Sequence, residues 1–170
     1  MPLTLLVASD THGRADRLVE ACRRADPAAV IFLGDGLRDL TYLPSNIPVY
    51  AVRGNCDWSE CADAPAARVL EIGGYRLYLT HGHLHGVKLQ LDSAIAAAAA
   101  AAADVLLYGH THVAFEKNIR TGTPISGDVL QKPLLVLCPG SLGHPADGAP
   151  SFATLTLAEG GVLAGFGRLR

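Results

Sequence analysis

Short apolar runs recur along the whole chain, separated by glycine, proline and polar residues. Most have about four to eight residues, the usual length of a buried β-strand. The predicted strands are Leu3–Ala8, Ala29–Leu33, Val49–Val52, Arg68–Ile72, Tyr75–Thr80, Val105–Tyr108, Val113–Arg120, Leu134–Cys138, Phe152–Leu157 and Val162–Arg170. Gly73-Gly74 and Glu159-Gly160-Gly161 stand between consecutive strands and predict two hairpins.

Two segments have the pattern of a helix. Arg14–Ala25 carries apolar residues on one face and ends before a proline, and Val87–Ala103 is rich in alanine, which has the highest helix propensity. Because the first helix connects two buried strands, those strands are predicted to be parallel with a right-handed crossover. Leu40–Pro48 is predicted to be a loop or frayed turn, and Thr121–Lys132 a surface loop. We find no repeat or linker, so residues 1–170 are predicted to form a single α/β domain.

Composition narrows the classes of function. Of the 170 residues, 49% are hydrophobic and 18% charged, which is typical of a soluble globular protein. The formal net charge is -2 and there is no lysine or arginine block, which argues against binding a long nucleic acid. The apolar stretch Ala94–Ala103 is too short to cross a bilayer, so we expect no membrane association.

The cysteines favour a reducing compartment. Cys22, Cys56, Cys61 and Cys138 contain no C-x-x-C pair. The N-terminal stretch has neither a basic segment nor an apolar core of signal-peptide length. We therefore expect a cytoplasmic protein with reduced thiols.

Polar residues of types that bind metals follow five predicted strands, each at the strand's carboxyl end. They are Asp10, His12, Asp35, Asn55, His81, His110 and His112. In parallel sheets the ligand crevice lies beyond these ends. If the loop after Val105–Tyr108 is extended, His110 and His112 face the same way, as a pair of metal ligands would.

A simpler interpretation is that these residues are caps, turn formers or solvated side chains, and for any one of them it is the commoner case. The distribution of histidine argues against it for the set. Six of the 7 histidines fall in the three loops that carry His12, His81–His85 and His110–His112, and none lies between His12 and His81. Metal binding is therefore the favoured hypothesis.

Seven carboxylate, amide and imidazole donors exceed what one Zn²⁺ needs, and a structural zinc site would use cysteine. They suit two divalent cations that share one carboxylate. Mixed nitrogen and oxygen donors fit Mn, Fe, Co, Ni or Zn, and the sequence does not rank these metals. Two such ions about 3.5–4 Å apart form the usual clamp for phosphoryl displacement.

The ordered motifs Asp-x-His, Gly-Asp, Gly-Asn-x-Asp, His-Gly-His and Gly-His-Thr-His resemble the calcineurin-like metallophosphoesterase superfamily. The chain length and the Gly-Asn-Cys-Asp version resemble its small YfcE-type phosphodiesterase branch. The resemblance implies a four-layer αββα sandwich of two mixed β-sheets flanked by helices. It favours manganese, and it implies that a metal-bound hydroxide attacks phosphorus.

The resemblance also implies residue roles. One ion would be held by Asp10, His12, Asp35 and His112, and the other by Asp35, Asn55, His81 and His110, with Asp35 as the bridge. The residues expected to take part in catalysis are Asn55, Cys56, Asp57 and His81. His83 and His85 contact the substrate, support the metal ligands or are solvent-facing loop residues.

Three positions depart from the wider family pattern. Cys56 stands where many relatives have histidine, which leaves the proton donor to the leaving group unassigned. Cys138 replaces the asparagine of Asn-Pro-Gly-Ser, and the 121–132 loop is longer than in close relatives. The expected function is a phosphodiesterase whose substrate is a phosphodiester, nucleotide-like ones included, and a homo-oligomer is left open. The alternatives are a non-catalytic protein-assembly scaffold, a phosphomonoesterase or a protein phosphatase.

Overall fold

A computed structural model describes residues 1–58 and 63–170, and Cys61 lies outside this part of the chain. The strands are β1 (Leu3–Ala8), β2 (Ala29–Phe32), β3 (Val49–Ala51), β4 (Ala67–Ile72), β5 (Tyr75–Thr80), β6 (Val105–Leu107), β7 (Ala114–Ile119), β8 (Pro124–Ile125), β9 (Asp128–Val129), β10 (Leu134–Pro139), β11 (Ser151–Ala158) and β12 (Gly161–Arg168). The helices are α1 (Ala15–Ala25) and α2 (Asp92–Ala100), and Leu37–Tyr42 and His83–His85 are 3₁₀ turns. All ten predicted strands are confirmed, with shifts of one or two residues at their ends.

The strands form two five-stranded mixed sheets. The first has the order β12-β11-β1-β2-β3, and the second β4-β5-β6-β10-β7. As predicted, β1 and β2 are parallel, and β4–β5 and β11–β12 are hairpins. In the second sheet β5, β6 and β10 are mutually parallel. The carboxyl ends of the parallel strands therefore gather at one edge of each sheet.

Residues of β1 show how the layers are built. Leu5 and Val7 point into a core shared by the two sheets, whereas Leu6 and Ala8 pack beneath α1. Because β1 is covered on both faces, it is apolar throughout and does not alternate with polar residues. Ala94 and Ala98 of α2 cover the outer face of the second sheet. The order of layers is α1, first sheet, second sheet, α2, which confirms the αββα sandwich.

The second predicted helix is shorter than its composition suggested. The 3₁₀ turn His83–His85 ends at Gly86 with a positive φ of 63°, and the next residues turn Val87 into the core against Gly82. The chain enters the helix only at Asp92, whose carboxylate is favourable at a helix N-terminus. At the other end Ala102 takes a φ of 51°, which redirects the chain into β6.

The predicted surface loop Thr121–Lys132 contains a small hairpin. Its strands, β8 and β9, pair across a turn at Ser126-Gly127, and Leu130 is buried against the second sheet's outer layer. No helix in the described residues is long and apolar enough to span a membrane.

Candidate metal centre

The seven predicted ligand residues lie together at the strand ends. In the described residues three sets of side chains have ligand atoms that all lie within 4.8 Å of one another. Two of them, here called the two groups, consist of predicted ligands only: Asp10, His12 and His112 in one, and Asp35, His81 and His110 in the other. The third set, His12, Asp35 and Cys56, overlaps both. The Oδ2 of Asp35 is 3.3 Å from His81 Nε2 and 3.9 Å from His12 Nε2, so it lies between the groups. Asn55 joins the second group, with its Oδ1 3.1 Å from His81 Nε2.

Strained backbone marks these positions. In the described residues seven non-glycine residues have positive φ, and five of them are candidate ligands. These five are Asp10, His12, Asp35, His110 and His112, with φ between 45° and 68°. Left-handed backbone is disfavoured for residues with a Cβ and is concentrated at functional sites.

The expectation of an extended loop at His110 and His112 is wrong. Both residues are left-handed, and the tight turn between them closes through a hydrogen bond from the Thr111 amide to the Gly109 carbonyl. As a result each histidine faces a different group. The ring of His110 is 5.0 Å from that of His81, whereas His112 Nε2 is 3.0 Å from Asp10 Oδ1.

Asp57 organises the two loops that carry Asp35 and Asn55. Its Oδ1 accepts hydrogen bonds from the amides of Gly36 and Leu37, at 2.9 and 3.0 Å. Its Oδ2 accepts from the amides of Asp35 and Gly54, at 2.7 and 2.8 Å.

The two loops are also packed closely. A Cβ at Gly54 would overlap Oδ1 of Asp35, so this position requires glycine. The same Oδ1 accepts the amide of Cys56 at 2.7 Å. Asp35 is thus held in place by the loop that follows β3.

Backbone carbonyls fix the tautomers of two histidines. The Leu33 carbonyl is 2.6 Å from His81 Nδ1, and the His144 carbonyl is 2.7 Å from His112 Nδ1. A carbonyl only accepts, so each Nδ1 carries a proton. The Nε2 of the neutral ring is then the atom free to bind a metal, and the Nε2 of the protonated ring donates to the neighbouring carboxylate. This is the usual support for a metal-binding histidine.

The charges at the site are strongly coupled. Asp10 is fully buried, which alone would raise its pKa, but hydrogen bonds from His112 and His12 hold that pKa well below its ordinary range. Burial also acts against ionisation of Asp35, yet contact with His81 lowers the pKa of this carboxyl.

The pKa values of the histidines at the site shift in opposite directions. Burial lowers the pKa of His81, but Asp35 and Asp10 outweigh it and the pKa is raised. The hydrogen bond to Asp10 raises the pKa of His112. Burial and repulsion by His81 lower the pKa of His110 to about 4, so this ring is neutral at pH 7.

The donor set fits divalent cations. The Nε2 atoms of His12 and His112 are 3.4 Å apart and both face Asp10 Oδ1, which brings nitrogen and oxygen lone pairs to one point. In the second group, His81 Nε2 likewise lies close to two oxygen atoms, Asp35 Oδ2 and Asn55 Oδ1. In the described residues His83 Nδ1 is a buried side-chain nitrogen without a hydrogen-bond partner, and its ring lies 5.4 Å from that of His81.

The remaining sequence candidates lie around the two groups. Cys56 is exposed beside Asp35, and burial of its thiol and the Asp35 charge raise the pKa to about 11. His85 accepts or donates a hydrogen bond with Ser93 and joins neither group. Cys138 is buried beneath the His110–His112 turn, with its Sγ 3.5 Å from Thr111 Oγ1.

Sequence reasoning missed His144. Its ring lies 4.9 Å from that of His12, and its carbonyl orients His112. Ser141 fixes this loop, because its hydroxyl donates to the Asp10 carbonyl and accepts the His144 amide, both at 2.8 Å. Its position in the sequence could have indicated a role at the site, because His144 follows a sixth strand end, at Pro139-Gly140-Ser141.

A cleft of about 230 Å³ opens beside the groups. Its lining includes His12 and Asp35, together with Arg38, Cys56 and Trp58. A larger cavity of about 600 Å³ lies between α2 and the β8–β9 hairpin and contains none of the candidate ligands. Of these two cavities, only the smaller one is lined by candidate ligands.

Two mixed sheets with histidine and carboxylate side chains converging at their strand ends are the arrangement expected of a metal-dependent hydrolase. The chain belongs to the calcineurin-like phosphoesterase superfamily, whose domain model matches residues 3–160. It is 31% identical to the phosphodiesterase YfcE of Escherichia coli (strain K12), over 88% of this chain and 84% of that protein.

Solved structures share the fold. A predicted phosphoesterase from Streptococcus pneumoniae TIGR4 superposes with a TM-score of 0.74 at 26% identity, covering 99% of this chain and 90% of that chain. A double mutant of Vps29 from Entamoeba histolytica gives a TM-score of 0.68 at 20% identity, covering 99% of this chain and 100% of that chain. The second likeness concerns the fold alone.

We predict that Asp57→Asn destabilises the protein. An amide offers one acceptor oxygen to four backbone N–H groups, so two donors lose their partner, and we expect a loss of about 2–4 kcal/mol in the free energy of unfolding. Urea denaturation measures the loss. Asp63→Asn, at an exposed carboxylate, is the matched control. Equal stability of the two variants would contradict the role assigned to Asp57.

We predict that the stability of the metal-free protein falls as the pH rises above about 6.5. The raised pKa values of His81 and His112 add stability below their ordinary value of 6.5, which is lost as the pH rises through the folded-state values. The lowered pKa values of Asp10 and Asp35 add stability above 3.8, which is lost only in acid. The lowered pKa values of His110 and His83 act in the other direction below 6.5, because the unfolded imidazoles take up protons there that the folded ones do not. The metal-free protein should thus be most stable near pH 6.5.

Added Mn²⁺ or Zn²⁺ should stabilise the protein more at pH 8 than at pH 5, because protons compete with the metal for these ligands. Thermal unfolding with and without metal, at pH 5, 6.5 and 8, measures both effects. His85→Gln serves as the control, since this half-buried histidine lies outside both groups. A metal effect that is equal at all three pH values would exclude the proposed coupling.

Proposed function

We propose that this protein is a phosphodiesterase that uses two divalent cations. The observation that carries the proposal is the position of Asp35, whose Oδ2 lies within 3.9 Å of histidine nitrogens from both groups. A single carboxylate oxygen between two sets of nitrogen donors is suited to bridge two ions. Asp10, His12 and His112 would complete one site, and Asn55, His81 and His110 the other.

When bound, such a pair of ions supplies a hydroxide nucleophile at neutral pH and stabilises charge on the transferred phosphoryl group. The chain's own residues prepare the site for this chemistry. The Leu33 and His144 carbonyls keep His81 and His112 in the tautomer that binds metal through Nε2. Asp57 holds the bridging loop rigid through its backbone hydrogen bonds. Manganese is the first metal to test, followed by Fe, Co, Ni and Zn.

Cys56 supports a diester rather than a monoester substrate. In the metal-free protein burial and Asp35 raise its pKa to about 11, whereas beside bound cations the thiol would tend towards thiolate. In neither form is it a good proton donor near neutral pH. A leaving group must then depart largely without help from a protein acid. This favours diesters with good leaving groups, and the 31% identical YfcE is named a phosphodiesterase.

The scaffold alternative has the same fold, as the Vps29 structures show, and one of those is described as a complex with Zn²⁺. A complete ligand set therefore does not by itself separate an enzyme from a scaffold. Hydrolysis does. A metal-loaded protein that binds two ions yet cleaves neither diesters nor monoesters would favour the assembly function.

We predict that Asp35→Asn abolishes hydrolysis and lowers the metal content while the fold survives. The change removes the charge proposed to hold both ions, so the rate should fall by several orders of magnitude. Elemental analysis should give two metals per wild-type chain and fewer in the variant. Circular dichroism controls for folding, and Asp63→Asn for the loss of a carboxylate elsewhere.

The proposed bridge would be refuted if Asp35→Asn kept more than roughly a tenth of the activity, a loss of only about 1.4 kcal/mol in transition-state stabilisation. The screen should cover bis(p-nitrophenyl) phosphate, p-nitrophenyl phosphate, cyclic nucleotides and single-stranded nucleic acid.

We predict that Cys56→His improves poor leaving groups more than good ones, by about 10²-fold, the scale of modest general acid catalysis. An imidazolium has an ordinary pKa near 6.5 and can donate a proton where the thiol does not. The measurement is a leaving-group series on wild type, Cys56→His and Cys56→Ala. A steep dependence on leaving-group pKa in wild type should flatten in Cys56→His. Parallel slopes in all three proteins would show that position 56 takes no part in proton transfer.

A further inference from the structure

Trp58 is the one tryptophan of the sequence, and its side chain is 80% exposed. Tryptophan is highly buried on average, so an indole presented to solvent invites a functional explanation. It follows Asp57 directly, and the four amide hydrogen bonds of that carboxylate fix the backbone on which the indole stands. The residue that precedes the indole is therefore firmly held.

The position of the indole relates it to the reactive groups. Trp58 lines the same cleft as His12 and Asp35. His12 belongs to one candidate metal group and Asp35 to the other. The other lining residues of this cleft are Gly13, Gly36, Arg38, Asp39, Cys56 and Asp57. A molecule whose phosphoryl group lay against His12 and Asp35 would therefore have a substituent in the same cleft as the indole.

The size of the cleft limits that substituent. At about 230 Å³ it is smaller than the roughly 300–1,000 Å³ pockets that enclose drug-sized ligands. It accommodates one planar ring with its sugar or linker rather than a run of nucleotides. This agrees with the net charge of -2, which provides no broad basic surface for a polyanion.

The chemistry of the lining selects for aromatic rings. An exposed indole stacks on planar rings, and such stacking tolerates any nucleobase because every base has a π face. A guanidinium such as that of Arg38 also packs favourably against aromatic faces.

We propose that Trp58 is the stacking surface for an aromatic ring carried by the substrate, and that the substrate class is a phosphodiester of a nucleoside. The inference rests on the proposed phosphodiesterase function and adds the substituent that the site selects. The shared chemistry is a planar ring beside a phosphoryl group. A nucleobase and a simple aryl group are its two sources, and the experiments separate them.

The first test uses the fluorescence of Trp58 itself, which reports ligand contact without any turnover because the chain has no other tryptophan. The Mn²⁺-loaded protein is titrated with adenosine 5′-monophosphate, phenyl phosphate and ribose 5-phosphate. Saturable quenching by adenosine 5′-monophosphate, with little response to ribose 5-phosphate, supports the proposal. Equal responses to the sugar phosphate and the nucleotide would overturn it.

The second test measures competitive inhibition of methyl p-nitrophenyl phosphate hydrolysis by the same three ligands. In wild type the base should lower the inhibition constant about ten- to a hundredfold relative to ribose 5-phosphate, the range expected for stacking of one base. Trp58→Ala should remove this advantage, and Trp58→Phe should keep most of it. The inhibition constant of ribose 5-phosphate should change less than about twofold in both variants, which shows that the phosphate end is intact.

Tyr42→Ala is the matched control, because Tyr42 is another exposed aromatic residue, 69% accessible, at the end of the Leu37–Tyr42 turn. It should leave the base advantage unchanged. If phenyl phosphate and adenosine 5′-monophosphate have inhibition constants that are lower than that of ribose 5-phosphate by the same factor, Trp58 accepts any aryl ring. If the factor is larger for the nucleotide, the ring that Trp58 selects is a nucleobase.

The outcomes separate this inference from the proposed function. If wild type hydrolyses diesters but Trp58→Ala keeps the base advantage, the stacking inference is wrong and the phosphodiesterase proposal stands. If wild type hydrolyses no diester, the proposed function fails, and the fluorescence titration still decides whether the cleft binds the base.

Discussion

Two carboxylates buried at the edge of an apolar core impose the main constraint on this structure. Asp10 is fully buried and Asp35 is 2% exposed. Charged groups removed from water cost several kcal/mol each unless partners compensate them. Here the compensation comes from imidazoles, from the Ser9 hydroxyl and from backbone amides that reach Asp10 Oδ2 and Asp35 Oδ1. Bringing these donors to the two carboxylates requires the tight loops and left-handed residues that shape the site.

The sequence was sufficient to predict the strands and the convergence of their ends. Apolar composition and flanking turn residues were enough to identify the strands Leu3–Ala8 and Tyr75–Thr80. Asp10 follows the first strand after one residue, and His81 follows the second directly. Residues placed after parallel strands meet because the sheet brings those ends together. That step depends only on topology, and for this reason it could be predicted from a single chain.

Local backbone conformation could not be predicted in the same way. The left-handed turn at His110 and His112 is stabilised by contacts with Asp10 and His144, which are distant in sequence. The start of α2 at Asp92 depends on Val87 fitting beneath Gly82, a tertiary contact that alanine propensity does not contain. In both cases packing overrides the local preference of the chain.

Asp57 gives the site a property that contact distances alone do not describe. Its carboxylate receives three amides from the β2–β3 connection and one, that of Gly54, from its own loop after β3, so the two segments cannot separate without breaking all three of the first set. The amide protons of Asp35, Gly36 and Leu37 should therefore exchange with solvent as one cooperative unit, governed by a single opening equilibrium. These three amides then report one free energy of loop separation, whereas the bond of Gly54 is local and can persist.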